Sequence, residues 1–169
     1  MDLHRGRKGM IAGAVAGVLA FIAVAVSSGM FEGLFRKIPA ESAKAAGVVE
    51  TADAVKIPLE SLDSGKALFL MYEANGRQIH YFAVKSSDGR YRAALDACDV
   101  CFRANRGYRQ ESDLMVCNQC GQAFPSVKVN EVKGGCNPAP LDRKVEGQYL
   151  VIRKSDIVAG KEYFTGNRT

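Results

Sequence analysis

The chain has 169 residues, of which 47% are hydrophobic and 24% charged, with a formal net charge of +5; this is enough for one compact domain with its own core once an N-terminal segment is set aside. Residues 1–39 hold Arg5, Arg7, Lys8, Arg36 and Lys37 against Asp2 and Glu32, while the remainder carries 18 basic and 16 acidic side chains. That near-balance leaves no polyanion-binding face, so nucleic acid is excluded as a partner and the basic excess belongs to the N-terminus.

From Met10 to Phe31 there is no charged side chain in "MIAGAVAGVLAFIAVAVSSGMF". As a helix, such a run reaches roughly 33 Å at about 1.5 Å per residue, enough to cross the hydrocarbon core. Arg5, Arg7 and Lys8 stand immediately before it, so the positive-inside rule keeps the N-terminus cytoplasmic and places the rest outside. Small residues at Ala23, Ala25 and Ser27 leave a cleaved signal peptide as the competing reading, but the apolar run continues past a short signal core. A buried core helix fits a charge-free run of this length poorly. The expected organisation is a cytoplasmic basic tail (1–9), a single-pass transmembrane anchor (10–31), a juxtamembrane helix or linker (32–55), and a Cys-rich β domain (56–169) in an extracytoplasmic compartment.

In the domain, short apolar runs alternate with the turn signals Asp63-Ser64-Gly65, Asn75-Gly76 and Asp88-Gly89. Asn-Gly and Asp-Gly supply the positive φ of tight hairpin turns. Strands are expected over 67–73, 78–85 and 91–95 as an antiparallel meander, with others over 114–116, 127–129 and 148–154 and one helical turn near 155–159. The fold class is mainly β: a small antiparallel domain behind one N-terminal helix.

All five cysteines lie between Ala94 and Leu141. Cys98/Cys101 and Cys117/Cys120 are two C-x-x-C pairs with fifteen residues between them, the spacing of a tetrahedral four-thiolate metal site. Zinc, a single iron and an iron-sulfur cluster all accept four thiolates. "CDVCF" and "CNQCG" lack the histidine of haem attachment, and a thioredoxin-like dithiol needs one pair at a helix start in a βαβ unit. Structural disulfides suit an oxidising compartment, but five cysteines leave one unpaired. Cys136, in "GGCNPAPL", is a candidate fifth ligand or a small packed residue. His80 is one of two histidines, and a lone strand histidine is more often packed than ligating. Tyr72, Tyr81, Phe82, Phe102 and Phe124 are candidate shields for the site, although ordinary core packing accounts for most aromatics in a domain of this size. No Gly-rich phosphate loop, Ser-His-Asp set or paired acid/base carboxylates stand out, so an electron carrier or metal-binding protein is expected rather than an enzyme.

The order of strand, DG turn, strand, Cys pair, loop, Cys pair, Gly, Phe and Pro-containing loop resembles the Rieske domain, at Cys98, Cys117, Cys120, Gly121, Phe124 and the loop 134–141. Cysteines stand where the Rieske histidines would be, which implies a lower potential and no histidine-linked proton coupling. A zinc-ribbon-like lobe is the other form expected of the metal-binding part. The words "ALDACDVC", "RGYRQESDLMVCNQCG" and "GGCNPAPL" resemble, in order, the core motifs of the FtrD-like family, membrane-anchored iron-sulfur proteins found beside ferrous-iron permeases. The resemblance implies an iron-sulfur centre on Cys98, Cys101, Cys117 and Cys120, exchanging electrons with a membrane redox or iron-permease partner during iron uptake. The rival is a structural zinc or metal-delivery module without redox activity.

Overall fold

The computed structural model describes residues 43–44 and 46–166. The charge-free run 10–31 therefore lies outside the described residues, as do the basic tail and most of the 32–55 segment. Among the described residues no helix is long and apolar enough to cross a membrane.

Among the described residues ten short strands form three antiparallel sheets. The first has the order β1-β2-β10-β9 and contains β1 (Val49–Glu50), β2 (Ala54–Pro58), β9 (Lys144–Glu146) and β10 (Tyr149–Arg153). It reaches back into the segment expected as a tether: Val55 pairs with Ile152 and Ile57 with Leu150, and all four side chains are buried. The second sheet is the expected meander of β3 (Leu68–Ala74), β4 (Arg77–Lys85) and β5 (Tyr91–Leu95). Asn75 and Gly76, at φ 52° and 74°, join β3 to β4 in the two-residue turn that matches the right-handed strand twist. The third sheet holds β6 (Tyr108–Glu111), β7 (Leu114–Cys117) and β8 (Ala123–Pro125). A short helix, α1 (Lys154–Ala159), follows β10 where a helical turn was expected. The strand expected over 127–129 is a correction. Ser126–Lys128 form a 3-10 turn, because the Ser126 amide and hydroxyl both bond Asp113 and hold the chain in a bend at the end of β8.

The meander lies between two cores. Leu70, Ile79, Tyr81, Ala83, Ala93 and Leu95 point into a core shared with Val55, Ile57, Leu150, Ile152, Ile157 and Phe164. The alternate residues Phe69, Phe82, Val84 and Ala94 point the other way, into a core shared with Cys98, Tyr108, Met115, Cys117 and Val129. This period-2 division explains why "IHYFAV" in β4 is apolar almost throughout: a strand covered on both faces has no side to give to water. The second core carries the cysteines.

Candidate metal centre

Three chain segments deliver the thiols. The first follows β5, where Asp96-Ala97 lead into a helical turn with Phe102 N–H donating to the Cys98 carbonyl at 3.1 Å. Within that turn the Cys101 amide donates to Cys98 Sγ at 3.2 Å. The second is the end of β7. Cys117 closes the strand opposite Tyr108, and the chain reverses so that Gly121 N–H reaches the Cys117 carbonyl at 2.9 Å. Gly121 has φ 74°, a backbone angle that glycine adopts without strain. The turn aims the Gln119 and Cys120 amides at the Cys117 sulfur, and the Gln122 amide at Cys120.

The third segment is the loop 134–141. It runs along the outer side of β5 as an improvised strand: Leu95 N–H donates to Ala139 O at 2.8 Å, Ala139 N–H to Ala97 O at 2.9 Å, and Leu141 N–H to Ala93 O at 3.2 Å. Asn130 supports it from beside, bonding both the amide (3.0 Å) and the carbonyl (2.7 Å) of Ala93 through its side chain. Gly134 and Gly135, at φ 85° and 63°, turn the chain into this path. Cys136 Sγ is thereby brought to 3.9 Å from Cys101 Sγ.

The five thiols form two triples, Cys98–Cys101–Cys136 and Cys101–Cys117–Cys120, each with its sulfurs within 4.8 Å of one another. Cys98 and Cys117 are buried, Cys101 and Cys136 half-buried, and Cys120 exposed. The donor set suits a thiophilic metal: bonds of about 2.3 Å to one tetrahedral ion would separate neighbouring sulfurs by about 3.8 Å, close to the observed 3.9 Å. Backbone amides aimed at the sulfurs offset part of the thiolates' negative charge.

Burial pushes the Cys101 and Cys117 thiols up, and the neighbouring Cys136, Cys120 and Cys117 thiols add to the rise at Cys101. Cys136 is pushed up to about 11, again chiefly by burial. Cys120 goes the other way, lowered to about 7 by the Gln122 amide. Without a cation Cys101, Cys117 and Cys136 thus favour the protonated thiol, so a metal bound by them must displace protons.

Of the expected shields, Phe82 and Phe124 pack with the cysteines, whereas Tyr81, Tyr72 and Phe102 belong to the opposite core. His80 is buried in contact with the Phe164 ring at 5.9 Å and belongs to neither triple. Several supports were not singled out from the sequence. Tyr108 donates its hydroxyl to the Cys136 carbonyl at 2.6 Å and packs on Phe82, with ring centroids 6.3 Å apart. The buried Asp96 carboxylate accepts from the Tyr108 amide at 2.6 Å. Asn118 N–H donates to Gly107 O at 2.9 Å, and its side chain to Arg106 O at 3.0 Å. These contacts fix the Arg106–Tyr108 passage between the two Cys pairs. The one available signal was "RGY" itself, a glycine beside an aromatic just before a strand.

The sequence model of a family described as "Membrane iron-sulfur containing protein FtrD-like" matches residues 62–164, which takes in all five cysteines. No curated protein and no solved structure matches the chain.

Proposed function

The chain belongs to the FtrD-like family of membrane iron-sulfur containing proteins, and from that premise we propose that its thiol cluster holds an iron-sulfur centre that passes single electrons to or from a membrane partner during iron uptake. When bound, such a centre supplies a one-electron couple whose potential is set by ligand charge, hydrogen bonds to sulfur and solvent exposure. The chain's own residues contribute the rest. Cys98 and Cys117 anchor the centre in the apolar core formed with Phe69, Phe82 and Met115. The amides of Cys101, Gln119, Cys120 and Gln122 donate to cysteine sulfurs and so favour their anionic form. Cys120, the exposed thiol among the five, marks the edge across which an electron partner would approach.

The single observation that carries this reading is the convergence of all five cysteines as free thiols from three separate segments. The run 10–31 is assigned as the anchor, with the N-terminus cytoplasmic and the metal domain outside; the intact chain should then stay with membranes through alkaline carbonate washing, and release of a shortened soluble form would show cleavage instead. The protein purified anaerobically from its membrane should be brown, with charge-transfer absorption that bleaches on dithionite addition. A colourless protein with stoichiometric zinc would replace this reading with the structural zinc module.

A further inference from the structure

We infer that the centre is dinuclear: Cys136 is a ligand, one metal position lies at Cys98 and Cys136, the other at Cys117 and Cys120, and Cys101 is the sulfur common to both. The inference rests on the reading of the cluster as a metal centre, but not on electron transfer.

The two pairs of a C-x-x-C site normally close on one ion, and then all four sulfurs are mutually close, each pair about 3.8 Å apart. The described residues show a different arrangement. The mutually close sets are two triples, and the only sulfur in both is that of Cys101. Neither mutually close set contains more than three of the five sulfurs. A four-iron cube fits no better, since it puts each thiolate on a different iron and keeps the cysteine sulfurs apart. Here Cys101 and Cys136 stand 3.9 Å apart, the distance of two ligands on one metal.

The placement of Cys136 is built rather than incidental. Its loop is bonded to β5 at Leu95, Ala97 and Ala93, and its carbonyl is held by the Tyr108 hydroxyl. On loading, the thiol protons pass to solvent as the sulfurs bind.

Cobalt(II) titration of the full-length, metal-free, reduced chain in detergent under argon tests this. Sulfur-to-cobalt charge-transfer absorption should rise to a break at two ions per chain. The paramagnetic signal at that point should be smaller than twice the one-ion signal, because a shared sulfur couples the two spins. Cys136→Ser should move the break to one ion and restore an uncoupled signal. A wild-type break at one ion would overturn the inference, as would a two-ion break unchanged in Cys136→Ser; because the first readout uses the unaltered chain, a poorly folded variant does not blunt it. No thiolate–cobalt band at all would overturn both this inference and the metal-centre reading. A two-ion break in a chain that is never brown would overturn the iron-sulfur reading alone.

Discussion

The hydroxyl of Tyr108, the first residue of β6, donates to the main-chain carbonyl of Cys136 at 2.6 Å, across 28 positions of sequence. Through it the hairpin that presents Cys117 and the loop that presents Cys136 are held to one another, so the spacing of these two thiols depends on a residue that binds no metal. Tyr108→Phe keeps the ring against Phe82 and removes the bond. The expected loss is about 1 kcal/mol of stability, with weaker retention of the metal served by Cys136. Chelator-competition titration of Tyr108→Phe against the wild type checks this, and equal metal retention would show that the bond is incidental.

Gly107 has φ 61°, and a Cβ there would collide with the Asp96 carboxylate. Gly107→Ala must therefore strain the backbone and displace the carboxylate that accepts the Tyr108 amide. A destabilisation of about 2–4 kcal/mol is expected from the two effects together. Urea unfolding of the two proteins, compared at equal m-value, measures it.

Phe82 is fully buried and touches Phe69, with ring centroids 5.5 Å apart, on one side and Tyr108 on the other. Phe82→Ala should cost about 3–5 kcal/mol through the cavity it leaves. Phe82→Leu, which refills most of the space, should recover more than half of that. If the alanine variant loses metal in proportion to stability while the leucine variant keeps it, the ring serves as packing alone.

Arg92 is 1% exposed and is held by Ser86 Oγ, the Val129 carbonyl, Asp88 and Glu131, all at 2.7 Å. The Asp88 carboxyl is lowered to about 2, chiefly by the Ser86 hydroxyl and also by the Arg90 amide and Arg92. Glu131 is lowered as well, by Arg92. Both carboxylates are more acidic folded than unfolded, so their contribution is complete above the unfolded pKa of about 4 and is lost as pH falls towards 2. Denaturation midpoints should thus decline steeply between those values, and Asp88→Asn should flatten the decline. An unchanged slope in Asp88→Asn would place the acid sensitivity elsewhere.

The meander was legible because its signals are local: Asn75-Gly76 and Asp88-Gly89 need only their own backbone angles, and β3, β4 and β5 appear within a residue or so of where they were expected. The paired cysteines were legible for the same reason. What escaped depends on partners far away in the chain. "YRQE" in β6 has no apolar pattern, because only Tyr108 is buried there and its support is a hairpin with β7. Ala54 and Val55, the first residues of β2, were read as the end of a tether because β2 gains its place from β10, more than ninety positions later. Cys136 was left as either ligand or packing because its path is set by bonds to β5, which no motif encodes.

The loop 134–141 also occupies the hydrogen-bonding side of β5 that the meander leaves open. A bare strand margin of that kind is a template on which another chain can add its own strand. The segment that carries the fifth thiol is therefore also the cover that keeps copies of this protein from joining edge to edge, and a chain stripped of metal with that loop loosened should polymerise before it unfolds.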